Sequence, residues 1–339
     1  MSIQTLGIDL GKQCFHLHGV DEQGRAVLRK KLTRSKLEQL IANLEPCLVG
    51  MEACGGAHYW ARKLQGYGHE VRLMSPQFVK PYVKSNKNDF LDAEAICEAV
   101  SRPNMRFVPI KTVEQQAIQH LHRARSQAVG QRTAQANQIR GFLLEYGLVV
   151  AQGIGNLRQG LPVILEDGEN GLLDETRRLL AGLQEELVHL DERVKDLDGQ
   201  LKVLSERHEG CRQLQTIPGI GPLIATALIG AVGDASVFHS GREMAAWLGL
   251  VPRQHSTGGR AVLLGISKRG DTYLRTLLIH GARAVIRFAD KRDDRHSRWV
   301  AAVERRRGKN VAAVAVANKN VRIAWALLTQ GTTFQASAA

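Results

Sequence analysis

The sequence predicts an α/β N-terminal domain (residues 1–108), a long helical middle (109–210) and a mostly α-helical C-terminal domain (211–332). Three observations carry this. Short apolar runs separated by turn signals fill the first 75 residues. Strand signals fade beyond residue 108, and between residues 173 and 204 leucines recur at alternating spacings of four and three.

In the first domain, residues 3–10, 14–20 and 26–32 read as three strands joined by Gly11-Lys12 and by the turn Asp21-Glu22-Gln23-Gly24, an antiparallel meander. A helix from Ser35 follows, with Leu37, Leu40, Ile41 and Leu44 on one face. Then come a strand over 47–51, a helix over 58–65, a strand over 70–74, a break at Pro76, and a helix over 89–100. This layout of βββαβα, then β and α, is that of a ribonuclease-H-like domain.

Four acids stand at telling places in that layout. Asp89 and Asp92 are three apart at the start of a helix, so they share a face. Asp9 and Glu52 end apolar strands, where an unpaired charge costs about 3–5 kcal/mol. Like charges that converge call for a hard cation with oxygen ligands, and four such acids are enough to hold two magnesium ions for phosphodiester chemistry. Alternatively, Asp89 caps the helix and Asp92 complements its dipole.

The chain has 339 residues, with 46 Lys plus Arg against 33 Asp plus Glu, a net charge of +13 that suits a polyanion. No sequence run approaches the roughly 18 apolar residues of a membrane span, and no signal-peptide pattern opens the chain. Five cysteines form no CxxC pair, so neither a zinc site nor a disulfide framework is indicated, and a reduced, cytoplasmic, nucleoid-associated protein without a membrane partner is expected.

In the middle region a long helix is expected over residues 111–146, with Arg125, Arg132 and Arg140 on one face, either a phosphate-binding stripe or a solvated surface. Residues 149–171 read as a glycine-rich linker. The seam that follows, Leu173, Leu180, Leu183, Leu187, Leu190, Val194, Leu197, Leu201 and Leu204, broken by Thr176, reads as a coiled coil. Self-association through it, as a dimer or tetramer, is the favoured expectation, and an intramolecular helical hairpin is the alternative.

The C-terminal part opens with Pro218-Gly219-Ile220-Gly221 between two helical patterns, either a helix-hairpin-helix-like turn whose backbone at Gly219 and Gly221 can meet a phosphate or plain helix packing. Next, Ser256 and Thr257 precede a Gly-Gly pair among Arg253, His255, Arg260, Lys268, Arg269 and Arg275. A hydroxyl so placed can attack a phosphodiester, its charge stabilised by nearby cations, although a polar turn in a binding loop is the plainer reading. Lys80, Lys84 and Lys87 precede the acid pair, either as further phosphate contacts or as a solvated basic loop, and Arg305, Arg306, Arg307 and Lys309 form a basic patch before a closing helix over 311–328.

GIDLGK, MEACGG and KNDFLDAEAI, with the PGIGP turn, the LGL-P segment and the serine-glycine loop, resemble bacterial insertion-sequence transposases of the DEDD class, relatives of the pilin-gene invertases. The resemblance covers nearly the whole chain. It implies a RuvC-like N-terminal domain with Asp9, Glu52, Asp89 and Asp92 as a catalytic quartet holding Mg2+, with Mn2+ possible. It also implies Ser256, with Thr257 beside it, as the nucleophile that links to DNA, and a structured element-encoded RNA as a guide. One subunit's acids working beside another's Ser256 is a further hypothesis. The rival function is a metal-dependent nuclease or Holliday-junction resolvase that activates water; a binding protein with a decayed site has little support, since all four acids are present.

Overall fold

The computed structural model describes residues 2–84 and 88–335. They divide into two compact units, Met1–Val113 and Glu114–Ala339.

The first unit is built on a six-stranded sheet in the order β3-β2-β1-β4-β5-β6. Strands β1 (Thr5–Leu10), β2 (Cys14–Val20) and β3 (Ala26–Thr33) form the expected meander. Helix α1 (Arg34–Ala42) leads to β4 (Leu48–Glu52), parallel to β1, and α2 (Ala57–Gly66) leads to β5 (Glu70–Met74), parallel to β4. After α3 (Pro76–Val79), a short 3-10 turn and α4 (Asp89–Val100), the two-residue strand β6 (Phe107–Val108) closes the far edge antiparallel to β5.

Strand alternation divides the sheet's faces. Leu6, Ile8, Phe15, Leu17, Val49 and Met51 are buried in one core with Leu37 and Ile41 of α1 and Trp60 and Leu64 of α2. The opposite face receives α4, and two glycines set how closely. A Cβ on Gly7 would lie 2.2 Å from the Ala93 carbonyl oxygen and 2.5 Å from the Cys97 nitrogen; one on Gly50 would lie 2.7 Å from Val100 Cβ. Gly7 and Gly50 are themselves register partners across β1 and β4.

The second unit is helical apart from one hairpin. Helix α5 (Val113–Glu145) is followed by α6 (Ile154–Glu166), where a linker was expected, and by α7 (Asp174–Arg207). The helix forms despite Pro162 because Leu157 and Leu161 are buried against Ile139, Leu143, Leu180 and Leu187. The seam closes within the same chain: Leu180, Leu183 and Leu187 pack with Ala136, Ile139 and Leu143 of α5, Leu204 packs on the C-terminal core, and Leu173 is exposed. Arg125 pairs with Asp198, Arg132 with Asp191 and Gln135 with Glu186, a falling register that makes α5 and α7 antiparallel. Thr176, the break in the seam, shares a 2.7 Å hydrogen bond with the Tyr146 hydroxyl. The intramolecular alternative is thus the one found, and the seam supplies no argument for self-association.

The remaining helices are α8 (Glu209–Gln215), α9 (Pro222–Val232), α10 (Gly241–Trp247), α11 (Thr272–Ala289), α12 (Arg295–Arg307) and α13 (Lys309–Gln330). They share one core, which α13 enters through Ala313, Val316, Ala317, Val321 and Ala324. By length and composition α13 could cross a membrane. Its buried face and Asn320, whose amide donates to the Pro218 carbonyl at 2.8 Å, place it in this core instead. Strands β7 (Pro252–Thr257) and β8 (Arg260–Ile266) form an exposed antiparallel hairpin turning at Gly258-Gly259. A strand pair therefore replaces the expected loop, and Ser256 stands on β7.

At the junction of α5, α9 and α11 lies buried His122, whose ring nitrogens are each 3.0 Å from a hydroxyl, Tyr273 on one side and Thr226 on the other. Burial, reinforced by Arg125, lowers its pKa to about 4. A depressed histidine pKa stabilises the fold above the ordinary value, and this stability is lost as pH falls from 6.5 to about 4. Denaturant titrations at several pH values should show His122→Gln flattening the wild-type loss across that window, which amounts to roughly 2–3 kcal/mol. Gly7→Ala should lower stability by about 1–3 kcal/mol, whereas Gly55→Ala, with open space around its Cβ, should leave the melting temperature unchanged.

Candidate active site

The α4-facing side of the sheet carries the acids. Asp9 lies two residues after Gly7 and Glu52 two after Gly50, so both carboxylates leave the sheet on the face against which α4 packs. The glycines that admit the helix therefore also fix the distance from its first turn to the strand ends.

Helix α4 begins at Asn88, whose side chain accepts from the Phe90 nitrogen at 3.0 Å. Asn88 takes the cap, so Asp89 is not the N-cap. It and Asp92 occupy the first turn, where the helix dipole favours negative charge. Lys84 pairs with Glu94 at 2.7 Å, so its charge is already matched. Lys87, an expected phosphate contact, lies outside the described residues.

Electrostatics shows that the acids converge. Burial, then Asp9 and then Asp92, raise the Glu52 pKa above the ordinary carboxylate value. The neighbouring Cys54 thiol is pushed up by burial and then by Glu52 and Asp9. Asp89 joins through a residue the sequence pattern did not single out. His16, buried on β2, is the cross-strand partner of Asp9, and its Nδ1 is 3.9 Å from Asp9 Oδ2 and 3.7 Å from Asp89 Oδ2. Its ring packs edge-on to Phe90 at 4.8 Å. The short turn between β1 and β2 was the signal that could have placed it opposite Asp9.

Carboxylates gathered this closely, with Glu52 raised by burial and by Asp9 and Asp92, fit a hard divalent cation by chemistry. Among the described residues, no three His, Cys, Asp or Glu side chains are closed into a ligand cluster. The acids lie as neighbours on one surface, with His16 between two of them.

The other expected contacts separate into two groups. Arg125 and Arg132 spend their charge on Asp198 and Asp191, and Arg140 donates to the Gly153 carbonyl at 2.7 Å, so the expected phosphate stripe is an internal clasp. Gly219 packs on α11, where a Cβ would lie 2.7 Å from the Gly281 carbonyl oxygen, while Gly221 caps α9 with open space before it. Arg275 donates to the carbonyls of Leu248 and Arg269. Arg253, Arg260, Lys268 and Arg269 stay exposed around the hairpin and its base, and none forms an ion pair among the described residues. Ser256 is exposed, and its Oγ accepts from Gln254 Nε2 at 2.7 Å.

Two family models match separate segments of the chain. A family model described as the transposase family of IS116, IS110 and IS902 matches residues 211–297, and the DEDD transposase model of the IS110 group matches residues 6–148. The chain is 50% identical over 336 residues to a Pseudomonas aeruginosa protein named "Probable family 20 transposase", with 99% of each chain covered. It is 48% identical to the transposase for insertion sequence element IS1111A of Coxiella burnetii, covering 99% of this chain and 92% of that one. It is 45% identical to the transposase for IS1328 of Yersinia enterocolitica, covering 98% and 99%.

The chain belongs to the IS110/IS116 transposase family. In this family's DEDD domain the four acids fall within the matched segment, and Ser256 falls within the second.

A raised carboxylate pKa destabilises the fold progressively as pH rises above the ordinary value of 4.5. In EDTA, Glu52→Gln should melt higher than wild type at pH 7 and lose that advantage near pH 4.5. Added Mg2+ should raise the wild-type melting temperature and narrow the gap.

Proposed function

We propose that this family member moves its insertion sequence by a two-station reaction, with the Asp9, Glu52, Asp89 and Asp92 quartet at one station and Ser256 at the other. The observation that carries the reading is the convergence at the first station. Glu52 is held above its ordinary pKa by burial, Asp9 and Asp92, and His16 lies between Asp9 and Asp89, an arrangement with an evident use in gathering positive charge around a phosphodiester.

Asp9, Glu52, Asp89 and Asp92 would hold the metal, Mg2+ or Mn2+. When bound, such an ion supplies Lewis-acid polarisation of a phosphoryl oxygen. Asp9 and Glu52 are fixed by the sheet and Asp89 and Asp92 by the first turn of α4, so the donors are placed before substrate arrives.

At the second station, Ser256 Oγ attacks phosphorus. The Ser256 O–H bond breaks as the Oγ–P bond forms, the P–O bond to the leaving strand breaks, and the leaving oxygen takes up a proton in place of the one the serine released, becoming a hydroxyl. The product is a protein–DNA phosphodiester, which keeps the energy of the broken bond for rejoining. Gln254 orients the serine hydroxyl. Exposed Arg253, Arg260, Lys268 and Arg269 hold phosphates near it. DNA is the substrate in this reading, with a structured RNA as a second polyanionic partner suited to the net charge of +13.

The decisive experiment incubates the full chain with its element ends, the flanking transcript and Mg2+, denatures in detergent and probes for protein-linked DNA. Wild type should give a linked species. Ser256→Ala should lose it by on the order of 10⁴ or more, the scale on which losing a nucleophile is felt. Cleaved but unlinked DNA from both proteins, lost on Asp9→Asn, would instead establish a nuclease or junction resolvase using activated water.

A further inference from the structure

Within the second unit, β8, α10, α12 and α13 enclose a groove of about 1540 Å³ that none of the reaction residues lines. Pockets for single small molecules occupy roughly 300–1,000 Å³, so this one suits an extended ligand.

Its lining is basic and apolar together. Arg242, Arg307, Lys319 and Arg322 contribute four cations, and no Asp or Glu is among the lining residues. None of the four forms an ion pair among the described residues. Lys319 is the most telling. Its ammonium sits 4.0 Å from the centre of the Trp299 ring. Burial, and then Arg295 and Arg322, lower its pKa, which marks a site short of negative charge. Between the cations the walls are apolar. Leu263 and Leu264 are exposed large side chains, at 67% and 48%, where a folded protein ordinarily covers such groups.

We propose that this groove binds a single-stranded stretch of nucleic acid, its phosphates on Arg242, Arg307, Lys319 and Arg322 and its unstacked bases against Trp299 and the leucines of β8. Charge alone would serve a duplex equally well, but a duplex keeps the faces of its bases stacked inside and cannot lay them on apolar walls. Unstacked bases offer an apolar face to them. The groove also adjoins the second station. Leu263 in its wall is the cross-strand partner of Gln254, the residue that donates to Ser256. Pro252, also in the wall, precedes Ser256 by four residues, about 13 Å along an extended strand. A strand held in the groove thus has its flank beside the hairpin, a consequence that rests on the reading of Ser256, whereas the binding does not.

The test is fluorescence anisotropy of the full chain with labelled oligothymidylate and oligouridylate of about 20 nucleotides and with a DNA duplex of equal length. Lys319→Met keeps the stem over Trp299, and exposed Arg322→Gln leaves the core untouched. The double variant should bind both single strands about tenfold more weakly and the duplex within about twofold. Its salt dependence should be shallower by about 0.7 for each phosphate that is no longer neutralised. Trp299→Leu should weaken single strands alone. The ratio of the two single strands in wild type identifies DNA or RNA as the source. Equal weakening of duplex and single strand, or weakening of neither, overturns the proposal. Ser256→Ala should bind like wild type, so a failed covalent trap and a failed groove are told apart.

Discussion

The first unit depends on how closely α4 lies on its sheet. Side chains at residues 7 and 50 would hold the helix away by the width of a Cβ, because Gly7 faces helix backbone and Gly50 faces Val100. Strand alternation then makes the glycines and the acids inseparable. Whatever stands two residues after each glycine leaves the sheet on the same face, and here it is Asp9 and Glu52. Close packing and the gathering of charge are one geometric fact. The cost is visible in Glu52, raised by burial and by its neighbours, and it is borne by a sheet whose other face is packed with large, fully buried side chains. A site that is electrostatically unfavourable alone is one that binding a cation would stabilise.

In the second unit the same reasoning separates charge that is used from charge that is available. A net charge of +13 says nothing about where a polyanion sits. The arginines of α5 look like a stripe, but they clasp α7 and the carbonyl of Gly153. The cations around the hairpin and in the groove beneath it have no carboxylate partner among the described residues. The available positive field therefore belongs to the C-terminal region, where the chain also exposes leucines and an aromatic ring.

Much of this was legible in the residues. The meander and the strand-end positions of Asp9 and Glu52 followed from alternation and turn chemistry, because a strand's faces are set by its own sequence. The leucine seam was equally legible as a seam. Its partner was not, since a heptad pattern reports an apolar face and not what covers it; Gln135, Tyr146 and the two arginines of α5 settle that through contacts about 30 to 70 residues away. The helix at Ile154–Glu166 was hidden by Gly155, Gly160 and Pro162, whose local preference is overridden by burial of Leu157 and Leu161. His16 escaped because a histidine in an apolar strand carries no signal until the register places it opposite Asp9.

The two stations differ in what each lacks. The quartet has carboxylates held in place but no side-chain nucleophile among them. Ser256, the proposed nucleophile, stands on an exposed hairpin with cations near it, yet its hydroxyl accepts a hydrogen bond from Gln254, and alternation turns the neighbouring His255 to the other face of the strand. No base within the hairpin shares its face. A serine so placed is close to its unactivated state in water, and its reactivity must rise with the arrival of a phosphodiester and whatever accompanies it. Under the proposed reaction, this division of parts confines the chemistry to an assembled complex. An enzyme that breaks DNA gains from it, because cutting in the absence of a partner strand leaves a break that nothing rejoins.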